Sequence, residues 1–415
     1  MKKHLLALSA AAVLLAPQTV GAEGFSINEW SAEGFGMGGA RMFAENDAAN
    51  MAYNPASLTK VEGQKAKVSV AYIAPHGKWK ADSLLDPQSG YDSFGRNRVN
   101  PAFAPGMYYV KQLNDKEWIG LGTYARFGNM CQFERDSIVG SNAFSSRMNG
   151  VSLGLNYARK HDNKWSTSVG AEINYVGLQL DKMPYMGSLP RPAVHIDGTS
   201  WALGWNAAAN YAFDDKNEFG VVYRSKVKHS MEANLDMHVS GVSGYADAYG
   251  CVTLPESWML GYGHKFDDKT RMELNATWTR WSRFDAFNMY FSNHTGIGAL
   301  LGPASENEKN WKDGWRYAIG IEHKLSDKYS LLAGIAHDER GIPDETGDFM
   351  VPTGERDTYS LGVQYHDKKQ TIAFSMGYMD VGDMNMQYHS GAAYSKAKMY
   401  DSYTKIFVLS YQYNF

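Results

Sequence analysis

The chain has 415 residues, of which 44% are apolar and 20% charged, and a formal net charge of −3. No basic block stands out, which argues against a nucleic-acid partner. Mean hydropathy is −0.42, and no long apolar run follows the first residues, which argues against membrane-crossing helices. The same chain carries 26 Tyr, 18 Phe and 11 Trp, an aromatic load at odds with that negative average.

In chain order, the first residues read as an export signal. Lys2 and Lys3 precede an apolar stretch over residues 5–16, and Val20-Gly21-Ala22 supplies small residues before a cleavage point. Such a segment is a secretory signal peptide, so residues 1–22 are expected to be removed. Residues 23–60 lack strand periodicity. Gly34, Gly36 and Gly39 match the spacing G-x-G-x-x-G, but no buried strand precedes them, so a dinucleotide role is not expected. Clustered glycine suits a tight backbone path in a crowded interior.

From residue 61 onward, period-two alternation dominates, the signature of strands with two different faces. Trp165, Val169, Ala171, Ile173 and Tyr175 lie opposite Glu172 and Asn174. Trp201, Leu203 and Trp205 share one face of a later strand, and Trp315, Tyr317, Ile319 and Ile321 alternate with Arg316, Ala318, Gly320 and Glu322. At the C-terminus Phe407, Leu409, Tyr411, Tyr413 and Phe415 alternate with Val408, Ser410, Gln412 and Asn414. Short polar turns fall at 114–116, 161–163, 214–217, 267–269, 326–327 and 367–369. The other connections are long: 75–102, 127–148, 179–198, 230–253, 284–311, 339–355 and 381–403.

Fourteen strands follow, near 64–74, 103–112, 117–126, 149–160, 164–178, 199–212, 217–229, 255–266, 270–282, 312–325, 328–338, 356–366, 370–380 and 404–415. Strict short–long alternation and an even count describe a transmembrane β-barrel with short periplasmic turns and long extracellular loops. Lipid leaves no backbone group unpaired, so the sheet closes. The expected fold is therefore an all-β, 14-stranded antiparallel transmembrane β-barrel over residues 61–415, with residues 23–60 folded into its lumen as a hatch. A terminal phenylalanine resembles the signal read by the barrel assembly machinery.

No enzyme motif appears: there is no G-x-S-x-G, H-E-x-x-H or P-loop, and no cofactor or metal is expected. Cys131 and Cys251 leave one disulfide open. Arg126, Glu172, Arg224, Glu273, Arg316 and Glu322 are expected to face the lumen. There they either form a mutually satisfied network or offer a cation to an anionic head group. Leu189, Pro190, Pro192, Val194, Met231, Leu235 and Met237 suit an apolar groove in the loops, with methionine adapting to varied ligands.

Several blocks carry a family resemblance. Gly24-Phe25-Ser26-Ile27-Asn28-Glu29-Trp30-Ser31, Asn46-Asp47-Ala48-Ala49-Asn50 and Tyr53-Asn54-Pro55-Ala56-Ser57-Leu58 resemble the start of the FadL/TodX family of outer-membrane transporters for hydrophobic compounds. Leu254-Pro255-Glu256-Ser257-Trp258, Trp278-Thr279-Arg280-Trp281-Ser282 and Gly334-Ile335-Ala336-His337-Asp338 are similar too. The resemblance implies a monomeric barrel in the outer membrane and passive uptake. Substrate is caught by loops, held in a lumenal pocket and released sideways where the third strand kinks.

Carried over by residue, Phe25 is the hatch phenylalanine that reaches the pocket, and Asn54, Pro55 and Ala56 match the hatch motif. Gly120, Gly122 and Gly128 lie where the kink belongs. Lys309 and Lys312 lie near the family's head-group lysine, with Arg126 in reserve. Tyr175-Val176-Gly177-Leu178 lacks the arginine that fatty-acid transporters carry on the fifth strand. The resulting expectation is passive uptake of hydrophobic molecules, long-chain fatty acids foremost. The rival reading is an adhesin or receptor barrel whose long loops are the functional part. A general porin is a third, and a lumenal plug argues against both.

Overall fold

A computed structural model describes residues 24–82, 92–185, 190–390 and 393–415; the signal segment 1–22 and Leu189 lie outside these residues. The wall strands are β1 (Gln64–Ala81), β2 (Ala102–Asn114), β3 (Glu117–Tyr124), β4 (Ser145–Lys160), β5 (Trp165–Lys182), β6 (Ala193–Ala212) and β7 (Asn217–Arg224). They continue as β8 (Ser257–Lys265), β9 (Thr270–Thr279), β10 (Gly314–Lys324), β11 (Tyr329–Asp338), β12 (Arg356–His366), β13 (Gln370–Val381) and β14 (Ala393–Asn414). Each pairs antiparallel with the next. β14 returns to β1 in register from Lys65↔Asn414 to Ala81↔Ala397, which closes the 14-stranded barrel expected from the sequence.

The alternation sorts as the membrane requires. On β4, Val151, Leu153, Leu155 and Tyr157 are exposed, whereas Ser152, Asn156 and Ala158 are buried. Aromatic pairs bracket the outward apolar band: Trp165 with Tyr211 at 4.7 Å near one end, Tyr175 with Trp201 at 4.9 Å near the other. Four short turns are fixed by an aspartate accepting backbone amides two and three residues on. Asp162 accepts from Lys164 and Trp165, Asp214 from Lys216 and Asn217, Asp267 from Lys269 and Thr270, and Asp367 from Lys369 and Gln370. These bonds, the backbone amides first, hold all four carboxyls below the ordinary aspartate range.

Several strands outrun the sequence expectation. β5 reaches Lys182, β6 begins at Ala193, β14 begins at Ala393, and the expected loop 230–253 is a hairpin of strands Val227–Val239 and Val242–Leu254. Their alternation persists, but the outward set turns polar, with Lys228, Ser230 and Glu232 beside inward His229 and Met231. A reading that seeks apolar outward residues therefore stops at the lipid boundary. β9 stops at Thr279, three residues early, where a short 3₁₀ turn (Trp281–Arg283) begins.

Residues 24–60 run inside the wall. A helix α1 (Ala32–Gly36) is capped by Ser31, whose hydroxyl accepts from the Gly34 amide at 3.1 Å. A turn of helix α2 (Asn50–Tyr53) leads to a 3₁₀ helix (Pro55–Lys60), capped by the Asn54 side chain on the Ala56 amide. At Gly38 and Gly39 φ is +63° and +85°. A side chain at Gly38 would meet the Ile335 carbonyl at 2.9 Å, so glycine is needed for both the turn and the close approach to β11.

Candidate functional site

The lower part of this segment, residues 31–60, is held by charge and hydrogen bonds to inward wall residues. Lys67 bridges Glu33 at 2.9 Å and Asp47 at 2.6 Å. Arg41 joins Asp47 at 3.1 Å to Glu322 at 3.2 Å, and Arg271 joins Glu322 at 2.8 Å to Glu273 at 2.5 Å. Glu273 in turn accepts the Met42 and Phe43 amides. On the other side Glu172 takes Arg224 at 2.6 Å and Arg126 at 3.1 Å, while Arg224 also donates to the Ala52 carbonyl at 2.6 Å. Of the two readings open for the lumenal charges, this geometry is the mutually satisfied network: every one of the six expected charges is paired or bonded. Arg316 reaches Asp338 at 3.0 Å and the Gly38 carbonyl at 2.8 Å.

Below these charges opens a cavity of about 1000 Å³ facing the short turns. Its lining includes Glu33, Arg41, Asp47, Lys65, Lys67, Arg271 and Glu322, together with turn residues such as Lys216 and Asp267. An apolar molecule gains nothing by entering it.

The upper part, residues 24–30, sits in different surroundings. Phe25 is packed edge-on among Trp281 (4.8 Å), Phe284 (5.7 Å) and Phe127 (5.8 Å), with Trp311 tilted at 5.6 Å. The Trp281 and Trp311 indole N–H groups find no acceptor among the described residues. Beside Phe25 lies a small apolar cavity of about 40 Å³ lined by Met148, Val176, Leu178, Met231, Val252 and Lys309, among others. Ligand pockets are several hundred Å³, so Phe25 and its neighbours nearly fill this site.

A window in the wall opens next to it. Pairing of β2 with β3 ends at Met107↔Thr123, and β3 itself ends at Tyr124. The chain regains β4 only at Gly128↔Asn149, in a short strand Gly128–Gln132. Residues 102–106 of β2 pair with β1 alone, leaving a free edge at Pro105, which lacks an amide proton. Above the gap the Arg98 amide donates to the Gln132 carbonyl at 2.6 Å. Residues 25–27 back the break from inside: Ile27 N–H donates to the Arg126 carbonyl and Gly128 N–H to the Phe25 carbonyl, both at 2.9 Å. Trp30 spans it, donating to the Ala125 carbonyl at 2.6 Å and accepting from Tyr108 at 2.9 Å. A cavity of about 300 Å³ runs from Phe25 and Met148 to Ala102, Ala104, Phe103 and Val151; the last two side chains lie on the outer surface.

The chain matches the family model for outer membrane protein transport proteins (OMPP1/FadL/TodX) over residues 12–415. It belongs to this family. It is 25% identical to the long-chain fatty acid transport protein of Escherichia coli O157:H7, over 90% of this chain and 91% of that one. Outer membrane protein P1 of Haemophilus influenzae is 26% identical, over 88% and 87% of the two chains. The fold matches the crystal structure of a Pseudomonas aeruginosa FadL homologue with a TM-score of 0.83 and 18% identity, covering 94% of this chain and all of that one. The Pseudomonas putida toluene transporter TodX gives 0.71 and 16%, covering 94% and 99%. This family member is thus an outer-membrane transport channel, not an enzyme.

Within this FadL/TodX-family barrel the expected site residues separate. Phe25, Arg126 and Lys309 lie around the window and the apolar cavity. Arg126 is buried and tied to Glu172. Lys309 is buried and ion-paired with Asp348, so neither cation waits unpaired for a head group. Lys312 is exposed, its amide bonded to the Gly341 carbonyl at 2.9 Å. Asn54, Pro55 and Ala56 sit away from the break. Asn54 donates to Asn210 on β6 at 2.7 Å, and the Ala56 carbonyl accepts from Ser166 on β5 at 3.3 Å. The same inner stretch meets β3 lower down, where Met51 and Leu58 lie against Gly120.

Gly120 and Gly122 are likewise not the break; both are paired in regular register with β2. A side chain at Gly120 would strike Met51 Sδ at 2.3 Å and Leu58 Cδ1 at 3.0 Å, so these glycines admit the inner segment instead. Of the expected loop groove, Val194 on β6 and Met231, Leu235 and Met237 on the hairpin are buried in one apolar cluster with Phe25. Cys131 is buried, Cys251 exposed, and both thiols are free. Sequence reading missed Trp281, Trp311, Phe284 and Asp348, which converge from distant loops. Pro105, inside an otherwise regular strand, was the legible sign of the free edge.

Proposed function

We propose that this barrel takes up hydrophobic molecules passively, long-chain fatty acids foremost. The extracellular loops collect the substrate, the apolar site beside Phe25 holds it, and the window between β2 and β4 releases it into the membrane. Residues 23–60 act as the hatch, and the chain works as a monomer delivered by the barrel assembly machinery. The observation that carries this reading is the pairing of a charged chamber below with an apolar opening to the side. A greasy solute finds only one favourable way out. A fatty carboxylate that reaches Lys309 would have to share it with Asp348 or move that carboxylate to another partner, because either buried charge left alone is costly.

The test fills the window. Ala104→Trp should abolish oleate uptake by cells that depend on this protein, while oleate binding to the purified barrel stays within about threefold of wild type. Wild-type uptake by a correctly inserted Ala104→Trp protein would overturn the sideways route. Liposomes bearing the intact protein should swell no faster than empty ones in small sugars; porin-like swelling would overturn the plugged lumen.

A further inference from the structure

Charge is distributed unevenly on the outward face above the lipid band. On β1 and β14 the outward column climbs through Tyr72 and Phe407 to His76 and Tyr403, stacked at 4.7 Å. Above the register shift between His76 and Lys78 the column turns cationic. Lys78 lies opposite Arg96 on one side and Tyr400 on the other, and Lys80 lies opposite Phe94 and Lys398; exposed Lys396 follows. Like charges directly opposite on one face of a sheet repel, yet two such pairs, Lys78–Arg96 and Lys80–Lys398, stand side by side here.

Acids answer only part of this charge. Asp401 holds Lys78 at 2.7 Å and Asp383 holds Lys398 at 2.6 Å, Asp380 is outward at the level of Tyr403, and exposed Asp82 follows Lys80, its amide on the Lys396 carbonyl at 2.9 Å. Among the described residues, Lys80, Arg96 and Lys396 have no ion pair, and the Lys80 ammonium rests over the Tyr400 ring at 5.9 Å. Across the barrel the same level is acidic: Asp181 lies opposite His195, which lies opposite Asp236, and the next row carries Asp197 and Asp247. Exposed Arg147 and Lys228 lie elsewhere on the outward face, opposite Met130 and Thr253 rather than another cation.

We propose that this patch docks the phosphorylated glycolipid of the outer leaflet. Its phosphates sit between Lys80, Lys398 and Arg96, and its acyl chains lie below, along Tyr403, Phe407 and Tyr72. Three observations select that occupant. The cations run from Lys405, over the Tyr403 ring at 5.9 Å, upward past the aromatic residues, the level where head groups meet water. Arginine with lysine forms charge-assisted, partly bidentate bonds to phosphate oxygens. The patch is continuous with exposed apolar surface, Phe94 (70% exposed) included, so a ligand with both phosphate and acyl chains gains on both counts, unlike a free anion. The assignment stands whatever the cargo of the channel.

The test uses the whole protein in detergent and native mass spectrometry with three probes: bis-phosphorylated glycolipid, the same glycolipid stripped of phosphate, and inorganic phosphate. Wild type should bind the first. The variant Lys80→Gln/Arg96→Gln/Lys398→Gln should bind it at least tenfold more weakly, and the stripped lipid should bind wild type that weakly. Millimolar inorganic phosphate should not compete. Removing as many charges from the opposite rim (Lys164→Gln/Lys216→Gln/Lys269→Gln) should change nothing. Wild-type affinity in the first variant, equal binding of the stripped lipid, competition by phosphate, or an equal loss in the rim variant would each overturn the proposal. Should the triple variant fail to insert, Lys80→Gln alone carries the test, with about a threefold loss expected and none overturning it.

Discussion

The two parts of the N-terminal segment differ in what holds them. Residues 31–60 are tied to the wall by buried ion pairs around Arg41, Lys67, Arg224, Glu172 and Glu273, and by side-chain bonds such as Ser375 to the Ala32 carbonyl at 2.6 Å. Residues 24–30 are held by aromatic contact and a few backbone bonds to the break after β3. Buried pairs resist disruption because separating them strands a charge in a dry interior. Aromatic contact is non-directional, and another apolar body replaces it at little cost. The lower part is tied by charge, the upper part by contacts that an apolar body of similar shape could match.

The largest break in that comparison comes from the lower part. Glu172→Ala strands Arg126 and Arg224 and should lower barrel stability by about 3–5 kcal/mol, read as the midpoint of heat modification on gels; Glu172→Gln should cost less. An unchanged midpoint would mean the network is not what fixes residues 31–60. Next, Asn54→Ala/Pro55→Ala removes the bond to Asn210 and should cost about 1–3 kcal/mol. The barrel should stay folded and loop binding should be retained while uptake falls; wild-type uptake would make this corner structural punctuation.

A third change sharpens the upper part. Phe25→Ala empties the aromatic box. Binding of an alkane or oleate should tighten several-fold, while stability falls by less than the roughly 3–5 kcal/mol that such a truncation costs in a closed core. Weaker binding would mean that the ring is part of the site rather than a competitor for it. The smallest effect is expected at the turns. Asp267 has a lowered pKa from the Lys269 and Thr270 amides, so its contribution is present above the ordinary aspartate range and is lost as pH falls through the lowered one. Asp267→Ala should slightly reduce stability at neutral pH and flatten its acid dependence; an unchanged acid profile would remove the turn aspartates from the account.

The barrel was legible because lipid imposes a strict two-residue period on every strand, and Trp201, Leu203 and Trp205 have no other use than to face it. The site was legible only in part. Phe25 lies on a distinctive local block, so its place could be anticipated. The box around it is assembled from Phe127, Trp281, Phe284 and Trp311, whose convergence depends on loop paths that no local period encodes. The glycines of β3 misled in an instructive way. Gly120 is small because Met51 and Leu58 need the room, whereas the break three residues beyond Gly122 begins at Ala125, which carries no conformational flag.

Pro105 has a further consequence. The edge it occupies is an unpaired strand of the kind onto which neighbouring chains add strands of their own. Such an opening is thus also an invitation to zip two barrels together. Proline withholds one donor from any such visitor, Trp30 stoppers the gap from within, and residues 25–27 pair with 126–128 on the far side of the break. The doorway is kept from becoming a seam.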